Sequence, residues 1–341
     1  MMRNPGTPSP PRLDDIDRAK GLAILLVVFG HIVPGAPAVM PGGNDWYLAV
    51  QTWVYQFHMP FFMYLSGFVM VYSSAAATAP ADYKAYLARR ARRFLLPFFL
   101  FGLLILSGKL VMGMLTNVDN QPADIAGGLQ ALFWHTEASP ARSIWYLAVI
   151  FLYSAVTPPL LWLAHGRMWI MLLIAALLYG LPYIEYGYLG LACRYFLFFV
   201  LGGVAAQYRE AYLRLIDRRF AVLMLVFLPA AVVMAATDVQ AIVLACIGLP
   251  ALPALHALAR RPWMAGSRTL ILLGGYTFVI YLFNTIMIGL AKAGLRIFMP
   301  PWDGAVFLVY APLLFAAGIG GPILLKRTVL RRSKFLDQLT G

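Results

Sequence analysis

The chain alternates between long apolar stretches and short polar connections. Ten of the apolar stretches are close to the roughly 20 residues that a helix needs to cross the hydrocarbon core of a bilayer. The pattern therefore predicts an all-α integral membrane protein with about ten transmembrane helices. The predicted spans cover residues 20–38, 50–73, 94–115, 143–164, 168–184, 188–208, 219–236, 239–259, 269–292 and 303–325.

Ionisable side chains share one side of the first predicted span. Lys20 lies at its start and His31 follows eleven residues later, about three helical turns, with Asp17 about 40° from the direction of His31. The rise of about 16 Å from Lys20 puts His31 near the bilayer midplane, where an ionisable residue indicates function. His31 is thus a candidate general base with Asp17 and Lys20 beside it. Alternatively, Asp17, Arg18 and Lys20 are interfacial anchors and His31 is a packed polar residue.

The second predicted span carries a histidine at a similar depth. His58 is followed by Pro60, which lacks a backbone N–H and opens a helix locally, so the kink can aim His58 at His31. In the alternative interpretation, His58 bonds a carbonyl freed at the kink, and Ser66 and Gly67 permit close helix packing.

Four arginines precede the third predicted span, and two of them share a helix face. Arg90 and Arg93 are one turn apart. Because guanidinium groups match the geometry of phosphates, this pair is a candidate site for the phosphates of a nucleotide-like donor. The alternative is an ordinary basic cluster at the cytoplasmic surface, or a patch that binds lipid headgroups.

Later spans carry further polar positions. Arg194 lies inside the sixth predicted span and needs a partner there. Three other positions are Trp145, Tyr281 and Asn284. Each of them either lines a cavity or packs within the bundle. The pairs Gly202-Gly203 and Gly274-Gly275 favour close helix packing rather than ligand loops.

Charge gives the orientation. The net charge is +13 although only 12% of the residues are charged. Most of the 27 Lys and Arg residues fall on one alternate set of connections, which predicts cytoplasmic N- and C-termini and explains the basic balance without nucleic acid. We expect a cytoplasmic tail over 1–17, a transmembrane domain over 18–326 and a basic cytoplasmic tail over 327–341. No disulfide framework or metal site is predicted.

The motifs resemble acyltransferase family 3, the bacterial-type integral-membrane enzymes that O-acylate sugars. The carrying segments follow one another along the chain: the basic residue and histidine of 17–31, Phe57 to Phe68, Arg90 to Pro97, Ile144 to Leu147, Tyr195 to Gly202, and Tyr276 to Asn284. Many relatives end the last motif with histidine, whereas this chain has Asn284. An amide there can hydrogen-bond an acceptor but does not transfer a proton as an imidazole does.

The resemblance implies a mechanism. Acetyl-CoA or another short acyl-CoA would enter from the cytoplasm, with its phosphates held by Arg90 and Arg93. His31 would deprotonate an acceptor hydroxyl, directly or through an acyl-enzyme step, while His58 would polarise the thioester or relay a proton. Lys20 and Asp17 would orient or charge-balance the donor path. The acceptor would be an envelope or exported glycan, and the location the inner (plasma) membrane with its lipids.

Two other interpretations of the sequence remain open. A transporter or flippase for a lipid-linked or exported sugar also has about ten spans and polar residues near the midplane. A non-catalytic membrane partner in polysaccharide assembly would tolerate replacement of His31, Arg90 and Arg93. The sequence names neither the acceptor nor the acyl group.

Overall fold

The computed structural model describes residues 12–33, 43–114, 118, 120–233, 240–298 and 304–341. Helices dominate these residues, and no strand occurs among them. The α-helices are α1 Asp14–Gly30, α2 Asp45–Tyr55, α3 His58–Tyr72, α4 Tyr83–Gly113, α5 Ile125–Phe133, α6 Trp145–Leu163, α7 Met168–Gly180, α8 Leu189–Gln207, α9 Arg209–Arg218, α10 Phe220–Val233, α11 Gln240–Ala259, α12 Pro262–Ala265, α13 Arg268–Leu295, α14 Gly304–Thr328 and α15 Lys334–Leu339.

Six helical segments within the described ranges are long and apolar enough to cross a membrane. They are Pro80–Gly113, Arg142–Leu163, Leu189–Gln207, Ile242–Ala259, Arg268–Leu295 and Gly304–Arg332. Two further apolar helices are shorter, over Met168–Gly180 and Phe220–Ala230. The prediction of an all-α membrane protein is confirmed at this level. The number of ten spans, the cytoplasmic termini and the three-part division of the chain stay predictions.

The first helix is displaced from its predicted span. It begins at Asp14 and ends at Gly30, so Lys20 lies two turns inside it. His31 is its C-terminal cap and does not lie in its middle. Three aspartates in the first turn favour this early start, since negative charge stabilises a helix N-terminus. Residues 34–38 of the predicted span lie outside the described residues.

The second predicted span is two helices rather than one. α2 ends at Tyr55 and α3 begins at His58, with Gln56 and Phe57 between them. Pro60 explains the break, because in a continuous helix its ring would clash with the carbonyl of Gln56. In the first turn of α3 its missing N–H costs nothing. The local opening predicted at Pro60 is therefore confirmed. The helix is fully interrupted at the two residues that precede His58.

Helices α3 and α8 make the most extensive contact of the bundle. Gly67 of α3 lies against the carbonyl oxygen of Phe199, and Gly202 of α8 lies against the carbonyl oxygen of Tyr64. A Cβ atom on either glycine would overlap the opposite backbone. Small residues let helix backbones approach this closely. The close packing predicted for Gly67 and Gly202 is confirmed.

Helix α1 packs on α13 by the same means. Gly21 lies against the Leu270 carbonyl oxygen, and Gly274 lies against the Asp17 carbonyl oxygen. The packing expected at Gly274 is thus confirmed as well. Together the two glycine contacts fix the start of α1, with Asp17 and Lys20, against a membrane-length helix.

Candidate active site

The C-terminal end of α1 is held by one face of α2. Tyr47, Gln51 and Tyr55 are spaced four residues apart, and all three donate hydrogen bonds to carbonyls at this end. Tyr47 bonds Phe29, while Gln51 and Tyr55 bond the carbonyl oxygen of Gly30 at 2.6 and 2.5 Å. The last carbonyls of a helix have no partner inside it, and Gln51 and Tyr55 satisfy that of Gly30. The Phe29 carbonyl also accepts a bond from the Ile32 N–H, to which Tyr47 adds a second. The three side chains also fix the backbone directly before His31.

The His31 side chain lies directly after the end of α1. It is half-buried, and its ring forms no hydrogen bond with any described residue. Lys292 of α13 lies within electrostatic range of it. The imidazole is thus positioned by its backbone rather than by a partner on its ring.

His58 is buried at the start of α3, close to the end of α1. Its Nδ1 lies 2.9 Å from the Val54 carbonyl oxygen, and its ring centroid lies 5.0 Å from that of Tyr55. Because a carbonyl only accepts, Nδ1 carries the proton, and Nε2 is left to accept one. His31 is within electrostatic range of His58. The structure therefore brings together the two histidines that the sequence singled out.

A line of side chains on α3 leads away from His58. Phe62 and Ser66 follow it at four-residue intervals and so share its face, about 12 Å from end to end. Ser66 Oγ lies 2.7 Å from the Tyr146 hydroxyl, and the Phe62 and Tyr146 rings are 5.2 Å apart. Tyr146 lies within electrostatic range of Arg93. The line joins the histidines to the arginines of α4.

The arginines of α4 line a cavity of about 690 Å³. Arg90 and Arg93 both belong to it, together with Arg89 and Arg92. Four guanidinium groups without a carboxylate in the lining make a strongly anion-attracting site. The remaining lining residues are Ala75, Thr78, Tyr86, Leu96, Phe335, Gln338 and Leu339.

Aromatic rings fix the two predicted donor-binding arginines. The Arg90 guanidinium lies 5.2 Å from the ring centroid of Tyr86, and that of Arg93 lies 5.9 Å from those of Phe94 and Phe278. Ring faces attract a cation without neutralising it as a carboxylate would. Both arginines therefore keep their charge available for an anionic ligand.

Asp17 and Lys20 form an ion pair in the first two turns of α1. The buried Asp17 carboxylate binds Arg12 and, at 3.4 Å, the Lys20 ammonium. Arg93 is within electrostatic range of Lys20. Two cationic partners engage the Asp17 carboxylate, and this favours a role in charge balance over one in proton abstraction.

One family accounts for this arrangement in a membrane protein. The model of acyltransferase family 3, described as an acyltransferase domain, matches residues 13–327. The chain belongs to acyltransferase family 3. No curated protein and no solved structure matches it.

The match covers nearly the whole of this acyltransferase family 3 protein and includes every predicted site residue. It confirms the resemblance inferred from the sequence motifs. A chain with this domain and six membrane-length helices among its described residues is a multi-pass membrane acyltransferase. The matched stretch ends within α14, so α15 lies beyond it.

The remaining predicted residues of the family 3 protein lie in two places. The Tyr281 ring is 5.4 Å from that of Tyr146, and its hydroxyl donates to the Ser143 carbonyl oxygen at 2.6 Å. Asn284 is buried one turn later and donates to two carbonyls of its own helix. Its Oδ1 has no hydrogen-bond partner among the described residues. Asn284 therefore retains an acceptor that none of the described residues uses.

Arg194 and Trp145 pack against aromatic rings. The Arg194 guanidinium lies 5.7 and 5.6 Å from the ring centroids of Tyr179 and Tyr183, and the Trp145 ring lies 5.0 Å from that of Tyr195. Cation–π contacts supply the partners that a charge inside a predicted span requires. The described contacts of Arg194 do not include His31 or His58.

A buried polar network near the start of α1 was missed by sequence reasoning. His256 of α11 is fully buried; its Nδ1 lies 2.8 Å from the Tyr64 hydroxyl, and its Nε2 lies 3.8 Å from Asp15. Asp15 also binds Arg260 at 2.7 Å, and Arg260 binds Asp217 of α9 at 2.7 Å. The one sequence signal for this network was the acidic start of α1, because buried carboxylates require cationic partners elsewhere in the chain.

Proposed function

We propose that this protein is a membrane O-acyltransferase that moves an acyl group, with acetyl as the first choice, from cytoplasmic acyl-CoA to a hydroxyl of an envelope or exported glycan. The observation that carries the proposal is the connection between two sites. At one end of the Ser66–Phe62–His58 line, Ser66 bonds Tyr146, which lies within electrostatic range of the cavity residue Arg93, and the two histidines lie at the other end.

The cavity suits the donor. Acyl-CoA carries a diphosphate and a 3′-phosphate, and bidentate hydrogen bonds from Arg90 and Arg93 are the strongest contacts that a protein makes with such groups. Lys20 adds positive charge on the same side, and Asp17 balances it. These residues bind the nucleotide portion in the proposal, and the thioester end extends along α3.

The histidine end suits the transfer. His31 accepts the proton of the acceptor hydroxyl as its oxygen attacks the thioester carbonyl carbon. The C–O bond forms, the C–S bond breaks, and the departing sulfur takes the proton back from His31. The products are an acylated sugar and CoA with a free thiol, so atoms and protons balance without a further reactant.

His58 is a proton relay in this proposal. Its Nδ1–H is engaged by Val54, so Nε2 accepts a proton first and can donate to the thioester carbonyl only afterwards. The role in relaying a proton therefore fits the geometry better than a role in polarising the carbonyl from the outset.

The acceptor sugar is placed on the side of His31 that faces away from the arginine cavity. Trp145 is half-buried and offers a ring face, the usual platform for a sugar, while Asn284 offers its unpartnered Oδ1. Tyr281 and Arg194 are each positioned by aromatic rings, Tyr281 by that of Tyr146 and Arg194 by those of Tyr179 and Tyr183. Acceptor contacts are thus proposed for four residues, Trp145, Tyr281, Asn284 and Arg194.

The positive-inside distribution supports an orientation in which both termini and the arginine cavity face the cytoplasm. Acyl-CoA is made and held there. The proposed location is the inner membrane, with lipids around the bundle and the glycan arriving from outside.

Thiol release from acetyl-CoA by the purified protein in lipid vesicles, with an envelope glycan fraction as acceptor, tests the proposal. Release that depends on the glycan and falls at least about 100-fold in His31→Ala is expected. His165→Asn is the matched control, because His165 is exposed and has a positive φ that asparagine tolerates.

Failure of folded wild-type protein to release thiol from any short acyl-CoA contradicts the proposal. Vesicle uptake of a lipid-linked sugar under the same conditions would then identify the protein as a transporter.

A further inference from the structure

The second wall of the arginine cavity comes from the C-terminal helix. Phe335, Gln338 and Leu339 of α15 line the same cavity as the four arginines of α4. The family match ends at residue 327, before this helix begins. The cavity is therefore closed on one side by residues outside the matched domain.

A buried lysine anchors α15. Lys326, at the end of α14, is 3% exposed, and its Nζ lies 2.8 Å from the Asp337 carboxylate. The same ammonium donates to the Asp337 carbonyl oxygen and the Thr340 hydroxyl, both at 2.9 Å. All three of its donors are thus engaged. These contacts hold the helix in place, and neither Phe335 nor Gln338 takes part in them.

The side chains of this wall differ in chemistry from the opposite one. Phe335 is 56% exposed, so its ring is accessible from the cavity that it lines. Gln338 is also exposed and carries both a donor and an acceptor. Across the cavity, the buried Tyr86 hydroxyl has no hydrogen-bond partner among the described residues. A flat apolar ring and an amide on α15 therefore face four cations, and the unused hydroxyl of Tyr86 lies on the arginine side.

We propose that α15 is the nucleotide-binding wall of the donor site. The adenine ring of acyl-CoA stacks on Phe335, the Gln338 amide hydrogen-bonds the polar edge of the base, and the arginines of α4 hold the phosphates. This inference rests on the proposed function, because it assumes an acyl-CoA donor. It makes Phe335 and Gln338 determinants of donor specificity, remote from the reacting atoms.

Two donors that differ only in the nucleotide test the inference. Acetyl-CoA contains the adenosine bisphosphate, and S-acetyl-4′-phosphopantetheine lacks it. Phe335→Ala is expected to raise KM for acetyl-CoA roughly 10-fold, the range of a lost base–aromatic stack, with little change in kcat. KM for the shorter donor stays the same, and Phe335→Trp keeps the wild-type KM for both donors.

Lys334→Ala is the matched control, because Lys334 is exposed, lies next to Phe335 and does not line the cavity. Calorimetric binding of adenosine 3′,5′-bisphosphate gives a second readout that needs no turnover. Phe335→Ala should weaken this binding by the same factor of roughly 10, whereas Lys334→Ala should not. Melting temperatures of all variants show whether α15 remains folded.

The outcomes separate the inference from the function on which it rests. Equal changes in KM for both donors, or an unchanged KM in Phe335→Ala while Arg90→Ala raises it, overturn the nucleotide-binding wall and leave the acyltransferase proposal intact. Loss of transfer by wild-type protein with both donors overturns the proposed function. Binding of the bisphosphate that still depends on Phe335 would then assign the cavity to a nucleotide of another role.

Discussion

The Tyr55 hydroxyl donates a 2.5 Å hydrogen bond to the carbonyl oxygen of Gly30, the residue that precedes His31. The ring of the same tyrosine lies 5.0 Å from that of His58. One side chain therefore contacts both the residue before His31 and the ring of His58. Because Tyr55 is the last residue of α2, it helps to set the distance between the two histidines at the break between α2 and α3.

Tyr55→Phe should lower kcat roughly 10-fold, because it removes the bond to Gly30 but keeps the ring beside His58, and small displacements of catalytic groups cost this much or more. KM for acetyl-CoA should stay unchanged, since the arginine cavity lies at the other end of the α3 line. Steady-state kinetics with varied acetyl-CoA measure both. Tyr208→Phe, at an exposed tyrosine, is the control. A change in KM alone would contradict the expected role.

The arginine pair should control donor binding. Arg90→Ala and Arg93→Ala are each expected to raise KM for acetyl-CoA about 10-fold or more, with a smaller effect on kcat, because each removes charge-assisted bonds to phosphate. Lysine at either position should restore only part of the loss, since an ammonium lacks the planar fork. Arg214→Ala, on the exposed face of α9, should behave as wild type. An unchanged KM for acetyl-CoA in both alanine variants would contradict a role of the cavity in donor binding.

Glycine substitutions should separate close backbone contact from open helix surface. Gly67→Ala forces a Cβ atom into the Phe199 carbonyl oxygen, and overpacking of this kind costs about 1–3 kcal/mol. Gly108→Ala, in α4, meets nothing within 4 Å and should gain up to about 1 kcal/mol from helix propensity. Melting temperatures in one detergent compare the two. Equal shifts in melting temperature for the two variants would contradict the close backbone contact between α3 and α8.

Stability should fall in acid through the link between α9 and α11. Hydrogen bonds from Arg260 hold the pKa of Asp217 below its usual range. A carboxyl with a lowered folded pKa stabilises the fold above the unfolded pKa of about 3.9 and loses that contribution as pH falls through the folded value.

The advantage of wild type over Asp217→Asn in melting temperature should therefore be full at pH 6 and shrink below about pH 4. Glu210→Gln, at an exposed position of the same helix, shows whether a general charge effect is responsible. A difference that is independent of pH would contradict the assignment to Asp217.

Local signals in the sequence predicted much of this protein. Apolar stretches located the helices, Pro60 located a break, and the one-turn spacing of Arg90 and Arg93 placed both in one cavity. Each of these features depends on neighbours within a few positions along the chain. That is the range over which helix periodicity and proline geometry act.

Features that depend on distant neighbours were not predictable. Tyr64 and His256 are 192 positions apart, and nothing local marks them as partners. Tyr47, Gln51 and Tyr55 bond backbone carbonyls, and a sequence does not show which carbonyls are exposed at a helix end. The contact between α15 and α4 is a further case, because it joins residues that lie far apart along the chain.

The glycine contacts between α3 and α8 also limit how the molecule can move. With each backbone seated on a carbonyl of the other, the two helices form one rigid body, and neither a lipid tail nor a substrate fits between them. His58, Phe62 and Ser66 are carried on that body. For the proposed transfer to a sugar, this means that the route for the acceptor opens by displacement of other helices, while His58, Phe62 and Ser66 keep their spacing.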